Sequence, residues 1–178
     1  QATDSDFTST ATLPSVEEIL FSKGKLYIDP TTIGTTQKTS TWLGFSLEWP
    51  SGWKEVYTGD GSLYFTKLEY VGHKDDPITG ELILEHDASA ETEIGFARTE
   101  TIRLVRMTWD GTALTTAGSA YTYKTLRIDL AIRYTAVPEV SDEDGDDIVT
   151  LPFQVVWSSA ASLAAQIVLV NELTAIIS

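Results

Sequence analysis

Residues 124–157, KTLRIDLAIRYTAVPEVSDEDGDDIVTLPFQVVW, decide the fold of this chain. Their first part, KTLRIDLAIRY (124–134), alternates apolar and charged residues, and their last part, IVTLPFQVVW (148–157), carries apolar residues at every second position. A period of two is typical of half-buried β-strands rather than helices. Taken alone, the two segments predict a long antiparallel pair that is joined through the acidic loop EVSDEDGDD (139–147).

Length and composition bound the rest of the interpretation. The chain has 178 residues, no cysteine and a formal net charge of −14, from 26 acidic and 12 basic residues. This size predicts a single β domain over residues 15–178, preceded by a flexible arm at 1–14 that is polar and rich in small residues. The absence of cysteine excludes disulfides and thiolate metal sites. No apolar run reaches the ~20 residues of a membrane-spanning helix, and we expect no membrane insertion.

The remaining segments are also patterned mainly as strands. Between Trp53 and Tyr70, a Gly-Asp-Gly turn at 59–61 predicts a long hairpin. Asp87 or Ser89 can cap the one expected helix, at 87–98. Further strands are expected at 25–29, 40–49, 77–86, 101–109 and 166–173. About eight strands and one helix predict a mainly β fold of two packed antiparallel sheets, a β-sandwich or small barrel with one flanking α-helix and a long hairpin or loop.

Two of these strands carry finer expectations. In the segment 40–49, alternation places Leu43, Phe45, Leu47 and Trp49 on one face. In the segment 101–109, the following Asp-Gly pair predicts the end of the strand.

Catalytic motifs are missing from the sequence. It contains no G-x-S-x-G, no Walker A sequence and no G-x-G-x-x-G. His86 lies between Glu85 and Asp87, a setting for metal binding or acid–base chemistry, but it has no second histidine at helical spacing. A surface histidine at a strand end is the favoured interpretation. We therefore expect no enzymatic activity and no cofactor.

The acidic loop is a weak candidate for cation binding. Asp142, Asp144 and Asp146 resemble the start of a Ca²⁺ loop, but Phe153 occupies the position where an EF-hand has its bidentate glutamate. A strand also follows where an EF-hand needs a helix. A solvated loop is the favoured interpretation, and a Ca²⁺ site is the alternative.

Aromatic residues crowd the region 42–70. Such density suits a core, a subunit interface or a platform for sugar stacking. Core packing is the default expectation for most of these residues. Trp53 and Tyr57 lie next to turns, and we predict that these two contribute to a subunit interface.

The order of these segments resembles the major tail tube protein of long-tailed bacteriophages, within the wider Hcp-like tube family. The resemblance covers roughly residues 20–173 and rests on pattern rather than on a catalytic signature. The segments that carry it are FSKGKLYID (21–29), LGFSLEWPSGWKEVYTGDGSLYF (43–65), ITGELILEHD (78–87), TIRLVRMTWDG (101–111), the stretch 124–156 and QIVLVNEL (166–173).

The resemblance implies a structural virion protein whose copies form hexameric rings. These rings stack into a hollow phage tail tube that is assembled in the host cytoplasm and conducts DNA during ejection. It also implies that the long hairpin or loop reaches the next ring, and that tape measure, tail tip and tail terminator proteins are partners. Closing long strands into a barrel of several subunits would satisfy their open edges.

The negative charge acquires a role within this interpretation. A lumen lined by carboxylates would repel DNA phosphates and let the genome slide, because affinity for nucleic acid comes largely from Lys and Arg. Asp129 and its neighbours on the polar face of 124–134 are candidates for that lining, although Arg127 and Arg133 share the face. A Ca²⁺- or carbohydrate-binding β-sandwich module is the alternative function.

Overall fold

The computed structural model describes residues 18–59, 61, 63–70, 72 and 77–172. The predicted arm at 1–14 lies outside these residues. Within them the chain forms eleven strands and one α-helix, α1 (Ala88–Arg98), after a 3-10 turn at Phe21–Lys23. The strands are β1 (Gly24–Asp29), β2 (Gln37–Lys38), β3 (Trp42–Glu48), β4 (Trp53–Val56), β5 (Lys67–Tyr70), β6 (Thr79–Glu85), β7 (Arg103–Ala113), β8 (Tyr123–Tyr134), β9 (Val140–Glu143), β10 (Asp146–Val155) and β11 (Ala165–Val170).

Nine strands form one antiparallel sheet that divides at β8. The main path runs β2-β1-β7-β8-β10-β6-β3, with β11 added to β8 and β9 added to β10. One edge of β8 pairs with β7, while its other edge pairs with β11 over Thr125–Leu130 and with β10 over Ile132–Tyr134. The sheet therefore separates into a first layer, β2-β1-β7-β8-β11, and a second layer, β9-β10-β6-β3.

The two layers pack face to face around one core. Alternate residues of both layers contribute to it, including Leu26, Met107 and Leu130 from the first layer and Leu82 and Leu151 from the second. Aromatic contacts between β3 and β7 cross from layer to layer, with the ring centroids of Trp42 and Trp109 5.7 Å apart. The predicted fold class, two packed antiparallel sheets with one helix and a hairpin, is confirmed.

The predicted long pairing of the two alternating segments is wrong. Strands β8 and β10 share only three paired positions, Tyr134 with Phe153 through Ile132 with Val155. They diverge because β10 pairs with β6 along its length and β8 turns to β7 and β11. Residues 128–132 are buried on both faces of the sheet rather than on one.

A β-bulge corrects the predicted face of β3. The register with β6 shifts between Trp42, which pairs with Leu84, and Gly44, which pairs with Ile83. The extra residue, Leu43, is 47% exposed, whereas Trp42 packs against the core together with Phe45 and Leu47 on the same side. A bulge inserts one residue and so reverses the alternation on one side of it. Trp49, at the end of the predicted face, is also exposed.

Two strand ends also differ from expectation. Strand β7 continues through Asp110 and Gly111 to Ala113, with an irregularity in its pairing to β8 at this point. The Asp-Gly pair therefore marks a bulge and not the end of the strand. Strand β10 ends at Val155, and Trp157, which continued the predicted apolar face, is 63% exposed.

The expected helix is confirmed at Ala88–Arg98. Its N-cap is Asp87, whose side chain accepts hydrogen bonds from the backbone N–H groups of Ser89 and Ala90. Ala90, Ile94 and Ala97 lie along one face of α1 and join the core. The helix therefore covers part of the interior face of the sheet.

A buried ionic cluster fixes α1 to the sheet. Glu93 is fully buried and accepts two hydrogen bonds from Arg103, each 2.8 Å long, and one from the hydroxyl of Tyr134 at 3.0 Å. Lys38 adds a contact of 3.3 Å, and the Arg103 guanidinium lies 4.0 Å from the centroid of Phe96. Burial, and then the Glu93 carboxylate, raise the pKa of Tyr134 well above its ordinary value. Such a network compensates a charge that would be costly if unpaired.

Candidate functional site

The predicted hairpin forms a separate two-stranded sheet. Strands β4 and β5 pair with each other from Trp53 with Tyr70 to Val56 with Lys67, and neither pairs with the nine-stranded sheet. Beyond the strands, the N–H of Thr66 donates to the carbonyl oxygen of Val56 at 2.9 Å. A lone two-stranded hairpin is marginally stable in water. We name the described residues between Trp53 and Tyr70 the aromatic hairpin.

The aromatic hairpin is amphipathic, although the face that would normally be buried is exposed. Directly paired residues share a face of a sheet, which places Trp53, Tyr70 and Leu68 together, with Glu55 among them. The next pair, Lys54 with Glu69, lies on the opposite, charged face. Trp53 is 56% exposed and Tyr70 58%, and their ring centroids are 5.2 Å apart. The aromatic face thus has no cover within the described chain.

Both residues that the sequence singled out for an interface belong to this hairpin. Trp53 begins β4 and belongs to the aromatic face, and Tyr57 follows β4 and is 64% exposed. The Tyr57 hydroxyl donates to Glu55 at 2.7 Å, and this hydrogen bond raises the pKa of Tyr57. Their participation in an interface stays a prediction.

The tip of the hairpin adds to the exposed apolar area. Leu63 is 93% exposed and Tyr64 80%. At the base, Gly52 has a φ of +71° and lies against the ring of Tyr70, where a Cβ would come within 2.9 Å of a ring carbon. Contiguous exposed apolar patches on soluble chains mark interaction sites. The hairpin is therefore the strongest candidate for a functional surface.

A second uncovered apolar surface lies at β11, and the sequence did not predict its exposure. Ile167 pairs with Ile128, and Leu169 with Leu126, which places both on the interior face of the first layer. They are nevertheless 52% and 64% exposed. Alternation identifies an apolar face, but it does not reveal how far the opposite layer extends. Within the described chain, the outer edge of β11 has no partner strand.

The acidic segment forms a hairpin rather than a loop. Strands β9 and β10 are joined by Asp144 and Gly145, with φ values of +56° and +93°, as a type I′ turn requires. Asp142 pairs with Asp147, whereas Asp146 pairs with Glu143. The register therefore places the candidate ligands Asp142 and Asp146 on opposite faces. Among the described residues, no three acidic or histidine side chains are grouped to hold a metal ion.

Asp129 cannot serve as the exposed acidic lining that the sequence suggested. Its side chain is buried, accepts two hydrogen bonds from Arg106 at 2.7 and 2.8 Å, and lies 3.2 Å from Nε of Arg127. The hydrogen bonds that Arg106 donates to Asp129 raise the pKa of Arg106, against the smaller opposing effect of burial. The expectation fails because cross-strand pairing places Arg106 opposite Asp129, a neighbour 23 residues away in the chain.

His86 has a local structural partner. Its Nε2 lies 2.7 Å from a carboxylate oxygen of Glu91 on α1. No metal ligand set accompanies this pair among the described residues. The geometry agrees with the interpretation of His86 as a surface residue at the end of β6.

Fold and surface together define a β-sandwich with uncovered apolar surfaces in the described part of the chain. No protein-family model matches the sequence, and no curated protein is significantly similar to it. The helix α1 has 11 residues, and none of the described helical segments is long and apolar enough to cross a membrane.

Proposed function

We propose that this chain is a structural protein whose copies assemble into hexameric rings that stack into a hollow tube, of the kind found in the tails of long-tailed bacteriophages. The observation that carries the proposal is the aromatic hairpin, whose aromatic face is exposed on an otherwise well-packed domain. The tube would reside in the virion and conduct DNA. Tape measure, tail tip and tail terminator proteins would be its other partners.

The hairpin supports assembly for an energetic reason. Burying apolar area contributes about 25 cal/mol per Å², and the exposed parts of Trp53, Tyr57 and Tyr70, more than half of each residue, contribute none of this to the isolated chain. An isolated pair of strands also needs packing against another element to become rigid. Contact with a neighbouring copy would supply both, and in a tube the hairpin would reach from one ring to the next.

The margin of the first layer supports ring formation. At β11 an open strand edge coincides with the uncovered side chains of Ile167 and Leu169. A copy that packs here would cover the interior face and protect the edge, which is otherwise a site for aggregation. Contacts between two different surfaces of identical subunits close into rings when the rotation permits it.

The negative charge of the chain supports the part of the proposal that concerns the passage of DNA through the tube. The formal net charge is −14, and the acids of the β9–β10 turn are all exposed. Because Asp129 is neutralised by arginines, an acidic lumen would have to be formed by other carboxylates. Repulsion between such carboxylates and phosphates would let DNA move without adhering.

Electron microscopy of the purified protein across a range of concentrations tests the proposal. Rings or tubes whose abundance rises with concentration are expected. A protein that stays monomeric at every concentration, as judged by analytical ultracentrifugation, would contradict it.

A carbohydrate-binding module is a second candidate, favoured by the exposed ring pair of Trp53 and Tyr70. Exposed aromatic faces can stack on sugar rings as well as on proteins. Calorimetric titration with a panel of glycans separates the two candidates. Tight glycan binding by a monomer that is lost in Trp53→Ala would favour the binding module over the tube.

A further inference from the structure

A polar cavity of about 250 Å³ lies on the face of the first layer opposite the core. Its charged lining residues are Arg106 and Asp110 on β7 and Arg127 on β8, and it is also lined by Tyr121, in the segment before β8, and by Tyr123, the first residue of β8. The cavity is smaller than the roughly 300–1,000 Å³ of typical small-molecule sites. Its size therefore suits one or two side chains better than a cofactor.

The cavity is held in shape by a buried carboxylate. Asp29 is fully buried and accepts hydrogen bonds from the backbone N–H groups of Gly34 and Thr36, each 2.8 Å long. Gly34 has a φ of +84°, and a Cβ at this position would overlap a terminal nitrogen of Arg106. The loop that Asp29 fixes thus lies directly against the Arg106 guanidinium and limits its movement.

The cavity brings two guanidinium groups to one carboxylate, Asp129, in a strongly negative chain. Arg106 is neutralised by its two hydrogen bonds to Asp129, and Lys25 is neutralised by Asp110 at 3.1 Å. Arg127 lies near the same Asp129, but its Nε makes no hydrogen bond, and its guanidinium lies 5.6 Å from the centroid of Tyr121. Asp29 is hydrogen-bonded by its own loop and Asp110 is paired with Lys25, so that Asp129 is the one carboxylate shared by Arg106 and Arg127, and Arg127 is the group able to bind a further anion.

The chain itself offers an anion of the right shape. Residues 142–147 include five carboxylates, and all six residues are exposed on the narrow β9–β10 hairpin. No ion pair joins any of them to another described residue. Gly145 and the left-handed Asp144 form a two-residue tip, and strands in such a hairpin are only about 5 Å apart. This tip is compact enough to present one or two carboxylates to a small cavity.

We propose that the cavity receives the acidic β9–β10 turn of a second copy of this chain, with Arg127 as the counter-ion. The inference rests on the proposed self-assembly and names one of its contacts. Charge-assisted hydrogen bonds between guanidinium and carboxylate supply orientation as well as affinity. The Tyr121 ring would shield the pair from water, which strengthens the attraction.

Neutralising the turn tests the contact against the general effect of charge. The variant Asp142→Asn/Asp144→Asn/Asp146→Asn keeps the turn, because asparagine tolerates the positive φ of position 144. At position 142 it can also accept the hydrogen bond that the backbone N–H of Gly145 donates to Asp142. A matched control, Glu48→Gln/Glu81→Gln/Glu85→Gln, removes three exposed carboxylates on β3 and β6.

Fewer negative charges should by themselves favour association. We nevertheless expect the turn variant to associate at least tenfold more weakly than wild type in sedimentation velocity, and the control to associate as well as wild type or better. If both variants associate equally well, the inference is wrong while the proposed assembly stands. If wild type does not associate at all, the assembly proposal fails and this contact fails with it.

Substitution of the arginine tests the other side of the contact. Arg127→Gln should weaken association by about tenfold, whereas Arg133→Gln, on the same face of β8 but outside the cavity, should not. Thermal unfolding of both variants identifies any loss of folding. A well-folded Arg127→Gln protein that associates normally would overturn the assignment of Arg127.

The absence of cysteine permits a direct test of proximity. Mixing the single-cysteine variants Asp144→Cys and Tyr121→Cys under mild oxidation should give a disulfide-linked heterodimer on a denaturing gel. Mixing Asp144→Cys with Glu91→Cys, on α1, should give much less. Equal yields from the two mixtures would show that the turn does not enter the cavity of a neighbour.

Discussion

Replacing Trp53 and Tyr70 together should raise the concentration needed for assembly by orders of magnitude and leave the isolated domain folded. Both side chains are more than half exposed, and the double variant Trp53→Ser/Tyr70→Ser removes the paired rings of the aromatic face. In the isolated chain the principal loss is the contact between the two rings, which is about 0.5–1.5 kcal/mol for such a pair. The core residues of the two layers are not touched.

The expected effect on assembly is much larger. An aromatic side chain buries 150–250 Å², so that the exposed portions of the two residues offer roughly 200 Å² together. At about 25 cal/mol per Å², this area corresponds to ~5 kcal/mol per contact. Since ~1.4 kcal/mol is a factor of ten, the critical concentration for assembly should rise by roughly three to four orders of magnitude.

Sedimentation and negative-stain microscopy over a concentration series measure this shift, and thermal unfolding checks the domain. The matched control is Lys54→Ser/Glu69→Ser, the neighbouring cross-strand pair on the charged face of the same hairpin. It should change the critical concentration little, because exposed charges contribute little to such contacts. A folded aromatic variant that assembles within threefold of wild type would refute the role of this face.

Three further predictions concern the domain itself. Glu93→Gln should lower the unfolding free energy by about 3–5 kcal/mol in urea unfolding, because Arg103 is left buried without a charge partner. The double variant Glu93→Gln/Arg103→Met should regain a large part of this lost stability. If Glu93→Gln costs the same with Arg103 as with Met at position 103, the two side chains are not coupled. Burial raises the pKa of Asp29, but the hydrogen bonds from its loop outweigh burial and lower the pKa below the ordinary 3.8. The resulting stabilisation is complete above pH 3.8 and is lost as the pH falls through the lowered value, so that the difference in unfolding free energy between wild type and Asp29→Asn should shrink below pH 4; a constant difference would contradict this. Gly95→Ala, with nothing near its Cβ, should stabilise α1 by up to ~1 kcal/mol, whereas Gly80→Ala, whose Cβ would overlap the Ser46 carbonyl oxygen, should cost about 1–3 kcal/mol; equal melting temperatures for the two variants would be inconsistent with this packing.

Local pattern was sufficient for most of the secondary structure. Alternation located β6, β7 and β8, and the capping aspartate located the start of α1. The errors share one cause, which is that a strand's pattern does not identify its partner. The bulge at Leu43 and the continuation of β7 through Asp110 depend on the register with neighbouring strands. The local sequence pattern at these positions does not distinguish a bulge from a turn.

The candidate surface was predicted in part. The position of aromatic residues beside turns pointed to Trp53 and Tyr57, and the structure places both on the aromatic hairpin, where they are exposed. The role of Asp129 was misjudged, because its charge partner Arg106 lies on another strand. The exposure of Leu169 was missed, because its place in the alternating pattern is the same as that of a residue that the opposite layer covers.

The sequence by itself determined a cysteine-free, acidic, mainly β chain with one capped helix and an aromatic hairpin, since composition and residue periodicity are local properties. Tertiary structure alone decided which carboxylates are neutralised, where the two layers separate and which apolar faces stay uncovered. These depend on the pairing of distant strands and on the width of the layer opposite, which are set by the packing of the whole chain. The strands of 124–157 are long because each has several partners, and not because they pair with each other.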